Sequence, residues 1–197
     1  MNMNKNFDVA QLLKGVEPED LQLDRYKYIM DNVKDVDVSK DEAFQSRFND
    51  FYALNGARPS SDWKAAYYAY FQEVKNNPDK QTLETIIRHF YEDENVPPYN
   101  AAVNKRIELS FSSKMLATIQ PDKPIWDSHV SRFLDIRQPE DIAEAIKNYT
   151  DLENLYKSFL NTPDADNWIA AFDSAFPEYK WISKTKKIDF IIWYKGR

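Results

Sequence analysis

Two residues of this 197-residue chain have types and spacing that suit covalent chemistry, Lys114 and Asp127. Both lie in the stretch LSFSSKMLATIQPDKPIWDSHVSRFL, residues 109–134. A free lysine has a pKa near ~10.4, so about one in a few thousand is neutral at pH 7. A nucleophilic amine must therefore be partly desolvated or sit beside other cations. Phe111, Met115, Leu116 and Ile119 can desolvate Lys114 if it faces a cleft. Asp127 stands between Trp126 and Ser128 at a predicted helix start, where free amides and the helix dipole keep a carboxylate ionised. The same residues also fit a purely structural role, with Lys114 snorkelling over Met115 and Phe111, Asp127 a cap and Trp126 a core anchor.

Composition narrows the chemistry further. The chain has no cysteine, which removes disulfides, thiolate nucleophiles and cysteine-ligated metals. Its two histidines, His89 and His129, make a histidine-based metal site a poor expectation, and nothing in the pattern calls for a cofactor. A net charge of −6 argues against a nucleic-acid-binding surface over the whole molecule. Local basic groups remain at Lys105 and Arg106, and in the tail at Lys180, Lys184, Lys186, Lys187, Lys195 and Arg197. The N-terminus lacks the basic start and apolar core of a secretion signal, and no run of about 18 apolar residues exists to span a bilayer. The expectation is a cytoplasmic protein with no membrane partner.

The elements that must position Lys114 and Asp127 read as helices. With 43% hydrophobic and 15% aromatic residues the chain can build a substantial core, and three glycines are too few for a loop-rich β architecture. Residues 1–38 suggest one or two short helices. Ser39 followed by Glu42 has the capping-box pattern and predicts a helix through Phe44, Phe48, Phe51 and Tyr52. Ser60 or Ser61 then caps a helix carrying Trp63, Ala66, Tyr67, Tyr70, Phe71 and Val74, an aromatic stripe read as core. A further helix runs through Leu83, Ile86, Ile87, Phe90 and Tyr91, with His89 just off its apolar face. Residues 92–98 form a polar loop, where one compact helical domain spanning 1–197 would divide if it has two lobes. Beyond it the pattern predicts a long helix from about Tyr99 to Ile119. Pro139 reads as a first-turn proline, Thr150 and Glu153 as a second capping box, and Trp168 to Ala175 as a further helix. The tail KKIDFIIWYKGR suits a helix better than a strand, since it has no strand to pair with.

The central stretch resembles the catalytic region of the helix–hairpin–helix DNA glycosylases, the superfamily of endonuclease III and the 8-oxoguanine glycosylases. Ser113-Lys114 stands for the family's lysine at a helix start. Ile125-Trp126-Asp127-Ser128-His129-Val130 stands for the segment that caps the next helix with an aspartate. Lys187-Ile188-Asp189-Phe190-Ile191-Ile192-Trp193 looks like the helix that closes some members. The hairpin is degenerate: Leu109-Ser110-Phe111-Ser112 stands where the family has a Gly-x-Gly turn.

This resemblance implies an all-α, two-lobed fold and a protein that binds or repairs damaged duplex DNA by base excision. It implies Lys114 as the Schiff-base nucleophile and Asp127 as its assisting carboxylate. Trp126 and Ser128 would meet the flipped nucleotide, and Lys105, Arg106 and the tail lysines would hold phosphates. The alternative is a non-catalytic helical module that keeps the scaffold and meets a protein partner. Neither the lesion nor the oligomeric state is legible in the sequence.

Overall fold

The computed structural model describes residue 3 and residues 7–196. Among the described residues the chain is all-α, with no strand and a single isolated antiparallel bridge between Asn100 and Val103. It divides into two compact units, one made of residues 1–23 with 121–197 and the other of residues 24–120. The 92–98 loop lies inside the second unit rather than at a division. Lys114 belongs to the unit of residues 24–120 and Asp127 to the other.

The unit of residues 24–120 takes up most of α2 (Leu23–Asn32), then α3 (Glu42–Phe51), α4 (Ser61–Lys75), α5 (Leu83–Glu92) and α6 (Leu109–Ile119). Its core is aromatic. Phe44, Phe48, Tyr67, Phe71 and Phe90 are all but inaccessible, and Trp63 stacks on Tyr67 with ring centroids 5.5 Å apart. Such offset and edge-on pairs add about 0.5–1.5 kcal/mol beyond their buried area. Of the stripe predicted on α4, Trp63, Tyr67, Phe71 and Val74 are core, Ala66 and Tyr70 are half-buried, and Tyr68, outside the stripe, is buried as well.

Helix starts follow local chemistry, with two corrections. Ser60 caps α4, its hydroxyl accepting from the Trp63 amide at 3.1 Å. The cap of α3 is Asp41, which accepts from Phe44 N at 2.7 Å, whereas the Ser39 hydroxyl donates to Asp37 at 2.6 Å. An ionised carboxylate two residues nearer the helix outcompetes the serine for the free amides. The long helix expected from Tyr99 starts only at Leu109. Between them, Asn100 folds back on its own loop, accepting from the amides of Ala102 and Val103, which satisfies the backbone without a helix.

The other unit contains α1 (Val9–Leu12), α7 (Ser128–Leu134), α8 (Ile142–Phe159), α9 (Pro163–Ala175) and α10 (Lys184–Lys195). Helix α10 packs on both α9 and α7, and α1 lies against α9. The Phe7 ring meets Phe133 edge-on at 6.1 Å and Trp168 at a tilt at 4.9 Å, packing this residue against the unit. Helix α8 is continuous from its Asp141 cap, so Pro139 lies before the helix and the Thr150–Glu153 pattern caps nothing. The Thr150 hydroxyl donates to Ile146 O at 2.9 Å within the helix. The tail is helical as expected, and its residues Thr185 to Ile192 are all buried.

Removing the α3 cap with Asp41→Ala should cost about 1 kcal/mol, and Ser39→Ala less than about half of that. Urea unfolding of the two variants at neutral pH checks this assignment, because the sequence pattern alone predicts the reverse order.

Candidate functional site

Helix α6 carries the lysine through the interior of its unit. Leu109, Phe111, Met115 and Leu116 are apolar, and Ser112, Ser113 and Thr118 are buried as well, so the helix is covered nearly all round. Its polar side chains turn back on the helix where they can: Ser113 Oγ donates to Ser110 O at 3.0 Å and Thr118 Oγ1 to Lys114 O at 2.8 Å. Leu109-Ser110-Phe111-Ser112, which stands for the hairpin turn, is instead the first turn of α6.

Lys114 is 8% exposed, a buried cation rather than a snorkelling surface one. Its Nζ donates to Tyr52 O at 3.0 Å and lies 5.9 and 5.7 Å from the ring centres of Tyr52 and Phe111. Tyr52 is the residue at which α3 ends, and the next residue, Ala53, takes a left-handed φ of 52°. A helix ends with unpaired carbonyls and the negative pole of its dipole, so a cation is well placed there. The ring faces add a further attraction that grows as water is excluded.

Glu108, the residue before α6, is 3% exposed and was not singled out by motif. Arg106 Nε approaches its Oε1 at 3.2 Å, yet among the described residues no hydrogen bond reaches that oxygen. Burial pushes the Glu108 carboxyl up to about 7, against the pull of Arg106 and Lys114. Arg106 itself is exposed and lies over the Tyr99 ring at 5.0 Å. Lys105 is engaged by the backbone, donating to Asp93 O at 2.5 Å and to Val96 O at 3.3 Å.

Asp127 caps α7 as expected. Its Oδ1 accepts from the amides of His129 and Val130, each at 2.9 Å, and its carbonyl accepts from Ser131 Oγ at 2.7 Å. Trp126 is 1% exposed, and Ser128 is exposed at the first helical position. The turn leading to Asp127 is fastened from two helices. Tyr149 of α8 donates to Pro124 O at 2.8 Å, and Ser183, the cap of α10, donates to Pro121 O at 2.6 Å.

A second carboxyl sits behind this turn. Asp189 of α10 is 4% exposed and accepts from Tyr156 Oη at 2.5 Å. Burial pushes it up to about 7, with Lys186 opposing the rise and Asp127 adding to it. Glu108 and Asp189 share one sequence signal that motif reading passes over, an acid at the edge of or inside an apolar run. Of the tail lysines, Lys186 and Lys187 are buried, the latter paired with Asp173 at 2.6 Å, while Lys180, Lys184 and Lys195 are exposed. Arg197 lies outside the described residues.

Among the described residues no group of three acidic or histidine side chains is placed to hold a metal ion, and no helix is long and apolar enough to cross a membrane. No protein-family model, curated protein or solved structure matches the chain.

Glu108 yields a pH prediction. Its folded value of about 7 lies above the ordinary 4.5, so the folded chain holds this proton more tightly than the unfolded chain. Stability attributable to Glu108 should therefore be greatest below about 4.5, fall by an amount of order 3 kcal/mol as pH rises through about 7, and level off above it. Glu108→Gln should remove that slope, read from urea midpoints between the two pH values.

Proposed function

We propose that this chain is a DNA-glycosylase-like protein acting on duplex DNA with a damaged or modified base, with Lys114 as the amine nucleophile and Asp127 as the assisting carboxylate. The observation that supports it most is the state of Lys114. At 8% exposed the Lys114 amine is withdrawn from bulk water, and desolvation is one route to a nucleophilic lysine, whereas the Tyr52 carbonyl and the two ring faces favour its charged form.

In this reading the altered nucleotide leaves the base stack before reaction. The Lys114 nitrogen bonds to C1′, and the glycosidic bond breaks with its electron pair leaving on the base. Opening of the sugar ring then gives the imine. Asp127, whose Oδ1 is fixed by two amides, stabilises the positive charge that builds on the sugar. Glu108, near half-protonation at neutral pH, is suited to exchanging the proton that the amine must shed. Ser128, exposed beside Asp127, would contact the nucleotide, while Trp126, 1% exposed, serves as a core anchor and not as a stacking surface. Arg106 and the exposed Lys180, Lys184 and Lys195 would take phosphates. With Lys105 already bound to two carbonyls, its part in phosphate binding would be small.

One observation favours a second reading, a non-catalytic helical module that meets a protein partner. The Lys114–Tyr52 contact also serves as a structural cap for the end of α3.

Borohydride reduction of the protein with duplexes containing an abasic site or 8-oxoguanine should leave a covalent protein–DNA adduct. Lys114→Ala should abolish it, and Asp127→Asn should lower its rate by about 100-fold or more. Absence of any adduct, together with no DNA retention at low salt, would favour the non-catalytic module.

A further inference from the structure

We propose that His129 is a positioning residue for Asp127, its ring fixed as the Nδ1–H tautomer on the Gly196 carbonyl so that the end of α10 holds in place the amide to which the Asp127 carboxylate binds. The proposal rests on Asp127 being the working carboxylate of the function above.

The contacts lie within one unit and are direct at each step. Asp127 Oδ1 accepts from the His129 amide at 2.9 Å, and the ring of the same residue reaches α10, where Nδ1 lies 3.1 Å from Gly196 O. A carbonyl oxygen accepts and cannot donate, so Nδ1 carries the proton, and in the neutral ring Nε2 is left as the acceptor. Arg132, one turn further along α7, donates to the same Gly196 oxygen at 2.9 Å. Two side chains of α7 thus fill both lone pairs of one carbonyl at the negative end of α10. The His129 ring is packed as well as bonded. The Trp193 ring lies 5.7 Å from it, tilted by 58°, and a methyl group placed on Gly196 would come within 3.4 Å of His129 Cβ and Nδ1.

Helix α10 thereby grips the chain on both sides of Asp127. Its cap, Ser183, donates to Pro121 O at 2.6 Å ahead of the carboxylate, and Gly196 takes the His129 ring just after it. Helix α8 adds two ties to the preceding turn, Tyr149 to Pro124 O at 2.8 Å and the Lys123–Glu153 ion pair at 2.6 Å. With seven residues, α7 has little cooperative stability of its own, so its first turn keeps its shape through tertiary contacts. Helix α10 is a firm frame for them, because Thr185 to Ile192 are all buried in close packing. The His129 and Val130 amides both bind Asp127 Oδ1, so a first turn that drifts takes the carboxylate with it.

The test compares the parent chain with His129→Asn, which keeps an N–H at the place of Nδ1, and with His129→Leu, which fills the space without a donor. In the parent, nitrogen-15 NMR of the neutral His129 ring should show Nδ1 protonated and Nε2 bare. Amide exchange at Val130, whose N–H is held by Asp127 Oδ1, is read against Ile169 and Phe172 of α9, which report opening of the unit as a whole. His129→Leu should lower the relative protection of Val130 by about three- to tenfold, and His129→Asn should restore it to within about twofold of the parent. In borohydride trapping on abasic-site duplex, His129→Leu should lower the maximal rate by about tenfold at an unchanged half-saturating DNA concentration, and His129→Asn should recover it. A ring that merely fills space would be replaced by leucine at least as well as by asparagine. A neutral ring protonated at Nε2, a Val130 amide as protected in His129→Leu as in the parent, or a His129→Asn no better than His129→Leu overturns the proposal. Should His129→Leu fail to fold, Gly196→Ala, which crowds the ring from the α10 side, should lower the protection of Val130 in its place, and unchanged protection there overturns the proposal too. No trapping by the parent chain overturns the catalytic reading of Asp127, while the tautomer and the exchange still decide whether His129 holds the carboxylate.

Discussion

The unit of residues 24–120 depends on how a lysine is kept inside it. Lys114 is bound at the end of α3, where its Nζ donates to the Tyr52 carbonyl, and the rings of Tyr52 and Phe111 lie 5.9 and 5.7 Å from the amine. The neighbouring polar groups are arranged to suit. Tyr52 Oη lies 3.3 Å from Thr118 Oγ1, and Tyr67 Oη donates to Phe111 O at 3.1 Å, so α3, α4 and α6 are joined by hydrogen bonds around the same amine. Burying an ammonium without such partners would cost several kcal/mol, which is why this arrangement constrains the helices and not the side chain alone. It also withdraws the amine from water, which favours the free amine, while the carbonyl and the ring faces favour the ammonium.

The other unit has a parallel construction around a carboxylate. Asp127 holds two amides at the head of α7, the turn before it is fastened by α8 and α10, and Asp189 stands behind with Tyr156 as its donor. Both units thus place an acid of raised proton affinity, Glu108 in one and Asp189 in the other, near the residue assigned to chemistry. Structural ion-pair networks perturb acids too, and Glu108 Oε1 has Arg106 Nε at 3.2 Å; among the described residues no hydrogen bond reaches Asp189 Oδ2.

Much of this was legible in the sequence, for identifiable reasons. The aromatic spacing of α4 and the caps at Ser60 and Asp127 express local geometry, which three or four neighbouring residues determine. The Ser39 and Thr150 patterns misled because a capping box is also what an exposed Ser or Thr followed by Glu looks like by chance. Asp41 lay nearer the amides in one case, and a helix continued through in the other. The start of α6 was misplaced because Asn100 closes a local turn that periodicity does not register. The burial of Lys114, Glu108 and Asp189 depends on contacts far apart in sequence, such as the 62 residues between Lys114 and Tyr52, and no local pattern encodes those.

The central claim is that the Lys114 amine forms a covalent bond with a sugar. Peptide mapping by mass spectrometry, after borohydride reduction of the protein with abasic-site DNA and nuclease digestion, tests it most directly. The account predicts a deoxyribose remnant on the peptide containing Lys114, at Lys114 itself. A remnant located on another lysine or on the N-terminal amine would contradict it, as would an unmodified Lys114 peptide.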